Sequence, residues 1–266
     1  MASRLLQEHK LRYIMSTTEA TIGEIVTADY RAAGILDAYG IDFCYWSKKT
    51  LQEVSEAQHL NKATIEQALA KLTTQPNGSS VHWNFSEWDT RFLVEYIVHT
   101  HHAHAREALP KLLELGARVS ASAAEKYPET MAIYQALLDL NGFAKHHLTS
   151  EEYALFPYIL EMENVRDSRL PFVAPEFGRV ETPIHAIEDE HLACIALLHK
   201  IRELSGHFSA AVAASPEHRS WYSMLKEFDA DMHLHVHLEN NILFPRAIAL
   251  EAELLTQKGF TSIWFG

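Results

Sequence analysis

Residues 147–157, HLTSEEYALFP, align position for position with residues 235–245, HVHLENNILFP. Each segment opens on a histidine (His147, His235), carries a glutamate four residues later (Glu151, Glu239) and closes on Leu-Phe-Pro. Residues i and i+4 lie on one face of a helix, a turn apart, so each His and its Glu reach the same small volume. Upstream stands a further histidine in each half: His102 is 45 residues before His147, and His191 is 44 before His235. The second half of the bundle therefore repeats the first as a helical hairpin. Two such hairpins facing each other bring four imidazoles and two carboxylates to the axis of a four-helix bundle, an architecture that builds metal sites from inward-facing side chains.

Outward from the repeat, apolar residues recur every three or four positions and no run shows strand alternation, so the fold class is all-α. The pattern predicts long helices over 87–117, 128–162, 182–205 and 217–254. Ser86 is expected to cap the first, Asn141-Gly142 to interrupt the second, and Pro183 to sit in the first turn of the third. A long connection, 166–180, separates the hairpins. The bundle is expected over 86–258. A small helical unit precedes it over 21–73, opening on Thr21-x-x-Glu24, the spacing of a capping box, with Gly40 placed to stop its first helix. The stretch TTQPNGSS (73–80) reads as a linker.

Face analysis selects the ligands. His191 shares a stripe with Ile184, Ile187, Cys194, Ile195 and Leu198. His235 continues Met224, Phe228 and Met232 and leads to Glu239 and Ile242. His233 and His237 point about 200° away and are expected to face solvent. On the first helix His99, His101, His102 and His104 crowd together; His102 is chosen by its place in the repeat, with His99 as rival. One histidine on an apolar face reads as a satisfied core residue. Four of them, two paired with glutamates, read as ligands, because burying two carboxylates without a cation costs several kcal/mol per charge. Mixed nitrogen and oxygen donors fit iron or manganese better than calcium, and the set lacks the thiolates usual for structural zinc. Six side chains shared by two irons leave positions open to a small diatomic. Glu190, beside His191, is a candidate supporting contact or a solvated charge. The Leu-Phe-Pro segments read as packing and helix-end devices.

The formal charge is −12, which disfavours nucleic acid and anionic membrane as partners. No stretch reaches the apolar length of a membrane span. The first twenty residues lack a secretory pattern, and Met15 is a candidate alternative start that would make 1–14 an extension. Two distant cysteines, Cys44 and Cys194, argue against a disulfide framework and point to a cytoplasmic protein.

From about Thr21 onward the chain resembles the repair-of-iron-centres family, hemerythrin-like di-iron proteins implicated in iron–sulfur cluster repair under nitric oxide and oxidative stress. The segments that carry the resemblance are HHAHAREALP (101–110), HLTSEEYALFP (147–157), EDEHLACIALL (188–198) and HVHLENNILFPRA (235–247). It implies a hemerythrin-like bundle in which His102, His147, Glu151, His191, His235 and Glu239 hold two non-haem irons, with the glutamates as bridges. It also implies nitric oxide or dioxygen as ligand and damaged iron–sulfur proteins as partners. Residues 21–73 resemble the family's ScdA-type N-terminal domain, which usually carries a Cys-Cys pair followed by Gly-Gly. Here the segment is DFCYWSKK (42–49), with Tyr45 at the second cysteine and both glycines absent. That departure bears on any dithiol chemistry, and Cys44 reads as a buried structural residue or a reactive thiol. A hemerythrin-like oxygen carrier or sensor without repair activity, and a nitric oxide or peroxide reductase, are the alternative functions. The N-terminal unit is a candidate surface for a homodimer.

Overall fold

The computed structural model describes residues 20–73, 84–172, 178–211 and 213–261. The expected 73–80 linker, residues 1–14 and Met15 therefore lie wholly or almost wholly outside the described residues. Contacts divide the chain into two units: the described residues up to Asp89 together with His237–Ile242, and the rest. Among the described residues the regular elements are helices, joined in one place by an isolated antiparallel bridge between Thr21 and Thr50.

The first unit contains α1 (Ile22–Ala28), α2 (Arg31–Ala38), α3 (Leu51–Ala57) and α4 (Lys62–Ala70). Thr21 and Thr50 each cap their helix with a reciprocal glutamate, Glu24 and Glu53, three residues on. The bridge sets these two starts side by side, with Ile22 N–H donating to the Lys49 carbonyl at 2.7 Å. One helix was expected up to Tyr39; it breaks at Asp29. The Asp29 carboxylate accepts from the Arg31 backbone N–H at 3.0 Å and from its guanidinium at 2.6–3.1 Å, an arrangement that ends α1 and starts α2. Gly40, at φ +75°, closes α2: its N–H reaches the Asp37 carbonyl and Ile41 N–H the Leu36 carbonyl, the paired bonds of a Schellman end. Ile22, Leu36, Ile41, Val54, Ile65 and Leu69 are fully buried as its core. His237 is also buried in this unit, with its ring 5.5 Å from Tyr30 and 5.9 Å from Phe43, and with Asn241 Nδ2 donating to its Nδ1 at 2.9 Å.

The second unit, with His237–Ile242 completing its last helix, is the bundle. α5 runs through Thr90–Tyr96, Ile97–His102 and Ala103–Ala123 without a break. α6 runs through Glu129–Ser150, Glu151–Leu155 and Phe156–Ser168; α7 is Glu181–Leu204. α8 joins Pro216–Leu238, Glu239–Leu243 and Phe244–Thr261. The middle segment of each composite helix is a π turn, wider by one residue than the α-helix around it. Ser86 lies in a short 3-10 turn before α5 instead of capping it, and α6 passes through Asn141-Gly142 uninterrupted. Leu93, Leu112, Ile133, Leu137, Ile159, Met162, Leu198 and Trp221 are buried in its apolar core. Gly116 admits Trp221: a Cβ there would meet its Cζ2 at 2.8 Å. The indole N–H then donates to the Leu112 carbonyl at 3.1 Å.

Candidate metal centre

The six residues singled out from the repeat converge. Their side-chain ligand atoms form two groups, His102, Glu151, His235, Glu239 and His147, Glu151, His191, Glu239, with the atoms of each group within 4.8 Å of one another. Both groups share both carboxylates. Each of α5, α6, α7 and α8 supplies one histidine, and α6 and α8 also supply the glutamates. His102, Glu151, His235 and Glu239 are 0% exposed.

Three π turns aim these side chains. The turn in α5 ends on His102, and those in α6 and α8 begin on Glu151 and Glu239. In α6 the Phe156 N–H donates to the Glu151 carbonyl, five residues back. The next residue is Pro157, which has no N–H to give and whose ring would press on the carbonyl four residues back. The wide turn relieves that conflict inside a continuous helix. Leu-Phe-Pro is therefore not a helix-end device, because α6 continues to Ser168 and α8 to Thr261.

The donor atoms face one another. His102 Nε2 lies 3.2 Å from His235 Nε2, and His147 Nε2 lies 3.1 Å from His191 Nε2. Glu151 Oε2 is 3.4 Å from both His102 Nε2 and His147 Nε2, so this carboxylate stands between the two imidazole pairs. At a metal–nitrogen distance of about 2.1 Å, nitrogens this far apart subtend roughly 95–100°, an ordinary ligand–metal–ligand angle. The outer ring nitrogens fix the tautomers. His102 Nδ1 meets Glu152 Oε1 at 2.7 Å, and His147 Nδ1 meets Glu190 Oε2 at 2.6 Å. An ionised carboxylate only accepts, so each Nδ1 carries the hydrogen, and in the neutral ring this leaves the lone pair on the inward Nε2. These residues fit a pair of cations. They supply neutral nitrogen donors and a buried double negative charge that two divalent ions would offset.

The remaining histidines are placed differently from expectation in part. His99 is exposed, away from the cluster, while His101 is buried with Nδ1 2.9 Å from Asp231 Oδ1 and its ring stacked on His235. His233 and His237 do not face solvent; they are 4% and 1% exposed. His233 Nδ1 donates to the Asp229 carbonyl at 2.7 Å, and burial among the aromatic rings pushes the His237 imidazole down to about 3. Both fail the prediction for the same reason: α8 is covered on more than one face. Cys44 and Cys194 are buried outside any disulfide, and burial pushes the Cys194 thiol up to about 12. Glu190 takes the supporting place that was one of its two readings, with His147 Nδ1 2.6 Å from its Oε2. Glu152 and its role were missed. The signal available was the doubled Glu151-Glu152, which the second repeat replaces with Glu239-Asn240.

Comparison with known families places the geometry. The Hemerythrin HHE cation binding domain matches residues 93–247, a span containing all six residues. ScdA_N, a domain of unknown function (DUF542), matches residues 18–73. The iron-sulfur cluster repair protein YtfE of Musicola paradisiaca (strain Ech703) is 31% identical over 241 residues, covering 90% of this chain and 100% of that protein. The chain belongs to the repair-of-iron-centres family. Other members with the same name come from Escherichia coli O157:H7, 27% identical over 237 residues, and Enterobacter sp. (strain 638), 28% over 242; each aligns over 89% of this chain and its own full length. As a family member the chain has the all-α, hemerythrin-type bundle with a metal site in it. Among the described residues no helix is long and apolar enough to cross a membrane.

Proposed function

We propose that His102, His147, Glu151, His191, His235 and Glu239 hold two non-haem irons bridged by the two carboxylates, and that the protein binds nitric oxide or dioxygen there in the service of iron–sulfur cluster repair. The observation that carries this reading is the pair of His/Glu groups that share Glu151 and Glu239. A site for one ion would need one such group; two groups with common carboxylates suit two ions with bridges. Relatives aligned over their full length are named for cluster repair, which supports the role assigned here.

Two irons in this setting would supply reversible one-electron chemistry and open positions for a diatomic. The protein's own part is orientation and exclusion. Glu152 and Glu190 hold His102 and His147 in one tautomer, the packed core keeps bulk water from the carboxylates, and Phe156 and Phe244 stack against His102 and His191. Damaged iron–sulfur proteins are the partners this function requires.

The test is spectroscopic and then functional. Protein loaded anaerobically with ferrous iron should change its absorption and paramagnetic spectra when nitric oxide is added, and should restore activity to an iron–sulfur enzyme damaged by nitric oxide. No spectral response would defeat diatomic binding. A response with reversible oxygen uptake but no restoration would select an oxygen carrier or sensor, the reading that Tyr45 beside Cys44 favours.

A further inference from the structure

The two halves of the centre are alike in their ligands but not in what stands behind them. Behind His102, Glu152 is largely covered, its side chain 16% exposed, and is itself gripped by Arg106, whose Nη2 lies 2.8 Å from the same Oε1 that meets His102 Nδ1. Arg106 is one helical turn beyond His102 on α5, so α5 supplies both the ligand and the cation, and α6 the carboxylate between them. Behind His147 stands Glu190, 39% exposed in its side chain and at the edge of a cavity of about 30 Å³ lined by His147, His191, Cys194 and Phe143. In the sequence repeat Asn240 occupies the position in α8 that Glu152 occupies in α6, so the carboxylate behind His102 is not repeated at the equivalent place in the second hairpin.

A carboxylate behind a ligating imidazole fixes the tautomer and ring orientation and raises the basicity of the inward nitrogen; losing one typically costs about 10–100-fold in metal affinity. How well it does this depends on how firmly it is held. The Glu152 oxygen that meets His102 is also held by Arg106, whereas Glu190 competes with water for its hydrogen bond. From this contrast we infer that Arg106 and Glu152 clamp His102, so that the His102/His235 position retains its metal more tightly than the His147/His191 position. Arg106 and Glu152 are positioning residues that act through the imidazole. The inference rests on the two-metal reading above and adds an order of retention to it.

Chelation kinetics provide the test. Protein loaded with two equivalents of ferrous iron is mixed with an excess of a chromogenic ferrous chelator, and release is followed over time. The wild type should release its iron in two phases of similar amplitude. Glu152→Ala should speed the slow phase about tenfold or more and leave the fast phase in place. Glu190→Ala should speed only the fast phase. Glu152→Gln, whose amide oxygen can still accept from Nδ1–H, should recover much of the slow phase, and Arg106→Gln should give an intermediate rate. A merely structural role for Glu152 would not be rescued by glutamine in the slow phase alone. Cobalt(II) absorption followed from one to two equivalents gives a second readout, because Glu152→Ala should alter the spectrum of the first ion bound and Glu190→Ala that of the second. If Glu152→Ala does not fold, judged by far-ultraviolet circular dichroism, Arg106→Gln alone decides the matter. Single-phase release from the wild type, or a slow phase indifferent to Glu152 and Arg106, overturns the clamp. Failure of the wild type to take up two irons is a different result and overturns the reading beneath it.

Discussion

Glu151 shows how the centre works at the scale of single residues. It is 0% exposed and stands 3.4 Å from the inward nitrogens of His102 and His147 on two helices. Glu151→Ala should therefore reduce bound iron at both positions together, to well below half of the wild-type content by elemental analysis, whereas loss of one position alone would deny it a bridging place. A second prediction concerns His218, buried far from the ligands between the rings of Tyr127 and Tyr222 at 5.1 and 4.5 Å. Burial lowers its pKa below the ordinary 6.5, opposed by the nearby Glu129. The unfolded chain takes up that proton near pH 6.5 and the folded chain only at a lower pH, so this residue's contribution to stability is lost as pH falls below the unfolded value. His218→Phe should flatten the fall in urea stability between pH 7 and 5, by at most about 1.4 kcal/mol per pH unit, and an unchanged slope would contradict it. The six clustered residues were legible because their spacing repeats. The burial of His233 and His237 was not, because a face turned from one partner gives no sign in the sequence that another segment covers it.

At the scale of elements, the composite helices matter most. A π turn adds one residue without changing the i, i+4 spacing of His147 and Glu151, so sequence periodicity carries no trace of it. Proline is the one visible clue, and by itself it signals a stop. The helix continues because Phe156, Ile159, Met162 and Val165 beyond the turn are buried and hold the register. If packing fixes that register, Pro157→Ala should leave helicity and iron content unchanged and alter stability by no more than about 1 kcal/mol. A tenfold loss of iron affinity in that variant would mean that the proline itself imposes the turn. The break at Asp29 has a similar lesson. The apolar pattern runs on from Ile22 to Leu36, but an aspartate that bonds the backbone two residues ahead competes with the helix at that point.

At the scale of the whole molecule, the all-α bundle follows from the duplicated hairpin; its four long helices begin within three residues of expectation, and three of them run six or seven residues further than expected. What ties the second hairpin to the first was not readable. The Glu251 carboxylate on α8, 1% exposed, accepts from Tyr158 on α6 at 2.9 Å, from Arg179 Nε at 2.6 Å and from the Val180 backbone N–H at 2.9 Å, just where α7 begins. These partners lie 71 to 93 residues away, beyond any local pattern. Glu251→Ala strands the buried N–H and the tyrosine hydroxyl. It should cost roughly 2–3 kcal/mol, seen as a fall in Tm of roughly 5–10 °C; no change in Tm would show that the network contributes nothing. The two-metal centre itself is tested most directly by iron analysis of the intact chain, loaded anaerobically with ferrous iron and freed of excess. Two irons per chain are predicted, falling sharply in Glu151→Ala and Glu239→Ala; fewer than one iron per wild-type chain would contradict it.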